Sequence, residues 1–110
     1  MKTYILVDDQ IIEEPNLEKF HLWFTTTDRS IKKSKIGKVL ISTVFLGYDH
    51  SFYDDENPIL FETLVFSDDD RAIELDMIRY SKKSEAIEGH EKMCKIVESF
   101  LEKNNGSQSI

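Results

Sequence analysis

The chain has 110 residues, of which 40% are hydrophobic and 11% aromatic, and its formal net charge is −7. This length accommodates one folded domain with one hydrophobic core, and the composition is typical of a globular protein. The single cysteine, Cys94, excludes an internal disulfide and fits a reducing cytoplasm. No apolar run reaches the roughly 20 residues needed to cross a bilayer, so we expect no membrane partner.

The charge is distributed unevenly along the chain. Residues 29–38 sum to +5 and contain no acid, whereas residues 1–28 sum to −4 and residues 49–76 sum to −9. An acidic protein is not attracted to duplex nucleic acid, which binds through neutralised phosphates. The basic stretch can receive a small anion, although lysines of this kind more often keep the edge of a sheet soluble. It contributes Lys32, Lys33, Lys35 and Lys38.

The N-terminal part of the chain predicts a short hairpin and a helix. Thr3–Val7 and Ile11–Glu14 are strand-like and are joined by a turn at Asp8–Gln10. Asn16 is a suitable cap for a helix over Leu17–Asp28, whose apolar residues follow helical spacing. The resulting aromatic stripe should pack on a sheet.

A second hairpin follows, and its second strand is central to the prediction. Ile31–Ile36 pairs naturally with Val39–Leu46, with a turn at Gly37. Both faces of Val39–Leu46 are largely apolar, which is typical of a strand covered on both sides. Because two helices are too few to cover both faces of such a sheet, we expect a second copy of the chain to cover the rest, and therefore a homo-oligomer.

The C-terminal part predicts two more strands and a helix. The strands are Ile59–Phe66 and Leu75–Tyr80, and the helix begins at a Ser84 cap and stops at Asn104–Gly106. The order β-β-α-β-β-β-β-α predicts an α+β fold, with an antiparallel sheet of about five to six strands, two helices and the C-terminal helix packed on the sheet. We expect one domain over 1–104 and a flexible tail over 105–110.

Four segments carry a resemblance to a known family: ISTVFLGYDH (41–50), ILFETLVF (59–66), IRYS (78–81) and EAIEGH (85–90). They resemble small uncharacterised proteins of bacteriophage and prophage genomes, which share a similar "STVFLG-DH … LFETMVF … RYS … A-GH" pattern. The resemblance implies a phage-encoded, cytoplasmic accessory protein and implies no particular activity. Tyr53–Asn57 departs from relatives of this kind, which tend to be rich in Gly and Pro there.

Polar residues on the apolar strands, on the last helix and in the loop after the central strand are the candidates for a ligand-binding site. They are Tyr48, Asp49, His50, Glu62, Thr63, Arg79, Tyr80 and His90. Glu62 alternates with Leu60 and Leu64, so we expect a buried carboxylate paired with Arg79. His90 lies on the inward stripe of the last helix, where a hydrogen-bonded core histidine is favoured over a ligand.

Three classes of function remain. The first is a binding protein that sequesters a small anionic, nucleotide-like ligand to counter host defence, with Arg79, His50 and the lysines as anion contacts. The second is an acidic inhibitor in which Asp49–Asp76 imitates nucleic acid to a host protein. The third is a small metal-dependent hydrolase using His50, Glu62 and His90. No familiar catalytic, nucleotide or metal motif occurs, so we expect no cofactor, assign no catalytic or metal residue, and rank the hydrolase last. We favour the first class because the unusual polar residues lie on apolar strands and on the helix stripe, and not only on the surface.

Overall fold

A computed structural model describes residues 2–51, 57–69 and 73–108. Its elements are β1 (Tyr4–Val7), β2 (Gln10–Glu13), α1 (Leu17–Thr26), β3 (Ser30–Ile36), β4 (Val39–Phe45), β5 (Phe61–Ser67), β6 (Glu74–Tyr80) and α2 (Lys83–Gln108). The α+β class, the antiparallel strands and the packing of the C-terminal helix on the sheet are confirmed. None of the described helices is long and apolar enough to span a membrane.

The six strands form two antiparallel sheets. β1 pairs with β2, and the larger sheet has the order β3-β4-β5-β6. The β1–β2 turn places Asp8 and Asp9 at φ values of 48° and 67°, the left-handed backbone that a two-residue hairpin turn requires. A single bridge between Thr3 and Tyr48 connects the small sheet to the end of β4.

One face of the larger sheet is covered by α2. Ile41, Thr43 and Phe45 on β4 point toward the helix and are fully buried, and their partners on β5 share that face. The opposite face carries half-buried apolar side chains such as Leu40 and Phe66. α2 packs along the first face, and α1 meets the same face at Phe45, so within the described residues neither helix supplies the second cover expected from the sequence.

The core under α2 is divided into two apolar clusters. One contains Ile41, Val65, Met93 and Val97. The other contains Phe45, Leu60, Phe61 and Ala86. Between them lie three polar residues with no exposed surface, Thr43, Thr63 and His90. This polar layer is the most unusual feature of the core, because buried polar groups are stable only when they are hydrogen-bonded.

α1 packs its aromatic side chains against the end of β4. Trp23 meets Phe45 edge-on with ring centroids 5.7 Å apart. Gly47 has φ +83°, and a Cβ at this position would lie 3.1 Å from Phe20 Cζ. Glycine therefore permits both the backbone conformation and the close approach of the helix.

Both helices differ at their ends from the sequence-based expectation. α1 ends at Thr26, where the threonine side chain hydrogen-bonds to the preceding turn of the helix. Thr26 Oγ1 donates to Leu22 O at 2.7 Å, a local bond that disfavours continuation of the helix. α2 begins at Lys83, so Ser84 lies inside the first turn and is not the cap; the Glu85 carboxylate accepts from the Lys82 N–H. α2 also continues to Gln108, past the expected stop at Asn104–Gly106, since propagating an established helix is easy. The division into a 1–104 domain and a tail stays a prediction.

Candidate functional site

His90 is held between two strands by hydroxyl groups on both sides of its ring. Ser34 Oγ on β3 lies 2.8 Å from His90 Nε2, and Thr43 Oγ1 on β4 lies 2.7 Å from Nδ1. Thr43 Oγ1 also lies 2.6 Å from Thr63 Oγ1 on β5. The three strands and α2 are thus connected by one chain of hydrogen bonds, which we call the His90 network (Ser34, Thr43, Thr63, His90).

The surroundings of His90 favour a neutral imidazole. Burial lowers the pKa of His90 below its ordinary value, and the nearby Lys32 charge lowers it further, against a smaller opposing effect of Glu91. A neutral ring has one donor and one acceptor nitrogen, which suits two hydroxyls that can each take either role. Since the ring has no exposed surface, its two nitrogens interact with groups of the protein and not with solvent.

Glu62 and Arg79 form the expected ion pair, but the pair is not in the core. Arg79 Nε donates to Glu62 Oε2 at 3.0 Å, with side-chain exposures of 33% and 16%. Glu62 points to the open face of the sheet, whereas its neighbour Thr63 points to α2, because successive strand residues alternate between faces. The expected pairing is therefore confirmed, whereas Glu62 is only partly buried and lies outside the core.

The same alternation separates the residues of the metal hypothesis. Glu62 lies on the open face and His90 lies under the other face, so the His50, Glu62 and His90 set does not converge. Within residues 2–51, 57–69 and 73–108, no three His, Cys, Asp or Glu side chains form a group that could hold a metal ion.

Tyr48, Asp49 and His50 lie together at the end of β4, where Asp49 organises the following loop. Its Oδ1 accepts from the Ser51 N–H at 2.9 Å and from the Ile59 N–H at 3.0 Å. Partial burial acts to raise the pKa of Asp49, but these backbone donors outweigh it and hold the pKa below its ordinary value. Asp49 therefore has a structural role in holding the backbone at Ser51 and Ile59. The Tyr53–Glu56 part of the departure noted above lies outside the described residues.

Tyr80 packs under α2 against the backbone of Gly89. A Cβ at position 89 would collide with the Tyr80 ring and hydroxyl. The buried hydroxyl has no hydrogen-bond partner in the described chain. The Gly89-His90 pair thus serves two contacts: glycine admits Tyr80, and histidine reaches the strands.

Three of the cations that were expected to contact an anion, Lys32, Lys35 and Arg79, are paired with carboxylates of the same chain. Lys32 pairs with Glu91 on α2, and Lys35 Nζ lies 2.8 Å from Asp68 Oδ2. Arg79 is paired with Glu62. Each of these cations therefore already has a carboxylate partner, and the three are held at different places on the sheet.

A surface cavity that the sequence did not indicate lies beside Tyr48. It has a volume of about 570 Å³. We call it the α1 cavity. It is lined by Leu17, Glu18, Phe20, His21, Leu22, Thr25 and Tyr48. Leu17 and Leu22 are 67% and 66% exposed although both are large and apolar. The helical spacing of α1 predicts Leu17 on the stripe that packs on the sheet, together with Phe20, so for Leu17 that expectation is wrong.

The eight candidate residues consequently occupy four separate places. Thr63 and His90 belong to the His90 network, Glu62 and Arg79 to the open face, Tyr80 to the contact with Gly89, and Tyr48, Asp49 and His50 to the end of β4. Sequence reasoning missed Ser34 and Thr43, although Thr43 alternates with Ile41 and Phe45 on the inward face. Comparisons with protein-family models, curated proteins and solved structures find no match to this chain.

Proposed function

We propose that this chain is a non-enzymatic accessory protein that binds a basic protein surface through the α1 cavity. The observation that carries the proposal is that exposed apolar side chains and acidic groups coincide on the N-terminal unit formed by β1, β2 and α1. Five large apolar side chains there are at least 39% exposed. They are Val7, Ile11, Ile12, Leu17 and Leu22.

The charge of this unit favours a basic partner. Six carboxylates lie in residues 8–28, where Lys19 is the one lysine or arginine. Five of the six residues are exposed, and Glu18 lies in the wall of the cavity itself. At physiological ionic strength such a field extends about 8 Å, which is enough to attract and orient a partner of opposite charge.

The shape of the α1 cavity favours an apolar anchor from that partner. Its floor is aromatic, since Phe20 is buried and meets Tyr48 edge-on with ring centroids 5.0 Å apart. Its rim is formed by the exposed Leu17 and Leu22. Apolar anchors of this kind contribute most of the binding energy in protein interfaces whose periphery is polar or charged.

The proposal corresponds to the acidic-inhibitor class, with a different surface. Of the Asp49–Asp76 acids, Asp54, Asp55, Glu56 and Asp70 lie outside the described residues. Asp49, Glu62 and Asp68 are engaged by groups of the same chain. Asp9 of the N-terminal unit likewise pairs with Lys83, so the case for this unit rests on Glu18 and the other acids near the α1 cavity, and the paired cations weigh against sequestration of an anion. The phage origin that the resemblance implies is compatible with an inhibitor of a host protein.

The test uses defined probes instead of an unknown partner. Fluorescence titration compares a Lys/Leu amphipathic peptide, a Glu/Leu peptide of the same pattern, ATP and a cyclic dinucleotide. We expect binding of the basic peptide that weakens as salt is raised, and no binding of the acidic peptide.

Matched variants locate the binding. Leu22→Ser and Glu18→Lys should weaken binding of the basic peptide, whereas Ile87→Ser and Glu98→Lys make the same changes on α2 and should not. Equal binding of both peptides, or loss with the α2 variants alone, would overturn the proposal. Stoichiometric nucleotide binding would instead restore the anion-sequestration class.

A further inference from the structure

The two edge strands of the larger sheet, β3 and β6, differ in how well they are protected against pairing with a strand of another molecule. β3 carries Lys32, Lys33 and Lys35, and charged side chains of this kind prevent an edge from pairing with other strands. β6 is the other edge, and it exposes apolar residues: Leu75 is 55%, Met77 39% and Ile78 38% exposed. β6 also carries three charged residues, Glu74, Asp76 and Arg79, so its edge is only partly apolar; exposed apolar side chains on an edge strand are normally paired or covered in a native protein.

The apolar surface of β6 continues onto α2. A cavity of about 300 Å³ between them is lined partly by Leu75, Ile96 and Phe100. Ile96 is 59% and Phe100 63% exposed. We call the exposed apolar side chains of this edge and of α2 the β6 edge surface (Leu75, Met77, Ile78, Ile96, Phe100). Met77 pairs with Leu64 on the open face and Ile78 pairs with Thr63 on the α2 face, so this surface extends around the edge of the sheet. It holds five of the twelve large apolar side chains that are exposed in the described residues.

The charges of β6 are complementary to themselves in one orientation. Glu74 and Asp76 lie in its first half, whereas Arg79 lies in its second half and Lys82 and Lys83 follow. Arg79 and Lys83 also pair within the chain, with Glu62 and Asp9, so contacts with a second copy would share these cations. When two copies run antiparallel, the acidic half of each strand faces the basic half of the other. A parallel arrangement would bring like charges together, which is unfavourable.

We propose that two copies of this chain pair antiparallel through β6 to form a continuous eight-stranded sheet. A two-fold axis perpendicular to the sheet keeps both α2 helices on the same face, where Ile96 and Phe100 of the two copies approach each other. The pairing satisfies the backbone groups of the open edge and buries the apolar side chains of both copies. This inference is independent of the α1 cavity, which lies on a different part of the molecule.

The first experiment is sedimentation equilibrium over a range of protein concentrations. We expect a species of twice the 12.9 kDa chain mass. Leu75→Lys should weaken the dimer at least about 30-fold, the change expected for a central interface residue. Leu22→Lys is the matched control, since Leu22 is also exposed and apolar but lies on α1, and it should leave the dimer unchanged. A monomer at every concentration, or a dimer indifferent to Leu75→Lys, would overturn the proposal.

A second experiment tests the antiparallel geometry directly and does not depend on the folding of a lysine variant. In a Cys94→Ser background, single cysteines are placed in turn at Asp76, Met77 and Ile78. Near a two-fold axis one of these cysteines meets its own counterpart at the distance that a disulfide spans, about 4.4–6.8 Å between Cα atoms. We expect rapid oxidative cross-linking at one of the three and none for Lys33→Cys on β3. Cross-linking at β3 alone, or at none of the β6 positions, would refute antiparallel pairing.

Discussion

Thr43 Oγ1 lies 2.7 Å from Nδ1 of His90, and neither residue has any exposed surface. The contact joins the central strand to the long helix in the middle of an otherwise apolar core. Because the next partners, Ser34 and Thr63, lie on the two flanking strands, one helical side chain fixes the position of three strands. Such a network specifies a single packing of α2 as long as every member is satisfied.

Replacing Thr43 by valine should destabilise the protein although it keeps the shape of the side chain. The change removes the hydroxyl that meets both His90 and Thr63, and leaving buried polar groups unsatisfied costs about 1–3 kcal/mol. Thr26→Val is the control, because Thr26 is exposed at the end of α1. Urea unfolding at neutral pH measures both. A Thr43→Val protein as stable as the parent would show that the network does not contribute to stability.

The His90 network also predicts a pH dependence. The pKa of His90 is lowered in the folded protein, so the unfolded chain takes up a proton at about pH 6.5 before the native protein does. The free energy of unfolding should therefore fall as the pH drops below about 6.5, and this contribution should be complete above it. Urea unfolding between about pH 7.5 and about pH 5.5 measures the slope.

The control for this slope is a pair of histidine substitutions. His90→Gln retains donor and acceptor atoms without a titrating ring and should flatten the dependence. His21→Gln changes an exposed histidine on α1 and should leave the slope as it is in the parent. A slope unaffected by His90→Gln would contradict the prediction.

Much of the fold follows from periodicity and turn chemistry. The element order, both hairpins and the inward stripe of α2 were predicted because alternating or helical apolar spacing fixes them locally. The separation into two sheets was not predicted, since pairing between distant strands has no local signal. The ends of the helices were missed for the same reason: a cap at Ser84 and a stop at Asn104–Gly106 are weak preferences that context overrides.

The candidate site was predicted less well, and the reason is geometric. Glu62 and Thr63 are neighbours in sequence but lie on opposite faces of β5, so a list of polar residues cannot be read as one site. His90 was correctly expected to be a hydrogen-bonded core residue. Its partner Ser34 lies 56 positions away, and only the register of β3 against β4 brings the two together.

Gly89 should be intolerant of a side chain. Alanine usually stabilises a helix by about 1 kcal/mol relative to glycine, but at this position its methyl group would collide with Tyr80. Overpacking costs about 1–3 kcal/mol, so Gly89→Ala should be net destabilising in thermal unfolding. Ser84→Ala in the exposed first turn of the same helix provides the comparison.

Tyr80→Phe separates the two halves of this contact. It removes a buried hydroxyl without a partner in the described chain, so the single variant should be as stable as the parent or more stable. In combination with Gly89→Ala, Tyr80→Phe should recover part of the stability that Gly89→Ala loses, because the hydroxyl that meets the new methyl group is removed. The recovery should be incomplete, because ring atoms of residue 80 still lie close to that methyl group. Two variants with strictly additive effects would indicate that Tyr80 and Gly89 are not coupled.

Breaking the ion pair on the open face should have a small effect. Because Arg79 is one-third exposed, replacing Glu62 by glutamine should lower the free energy of unfolding by about 0.5–1 kcal/mol, and salt should reduce the difference. Chemical unfolding at low and high ionic strength measures this. A loss of several kcal/mol would mean that the open face is covered in solution, for instance by another protein.

The lysines of β3 have a consequence for how large an assembly can grow. A sheet with two open edges extends without limit, as in a fibril, because each added copy presents a fresh edge. In the proposed dimer the β6 strands of both copies pair with each other. The two remaining edge strands of the joined sheet are then both β3, which carries the lysines. The same four-stranded unit would thus close at two copies, and the neutralisation of Lys32, Lys33 and Lys35 would convert a closed assembly into one prone to polymerise.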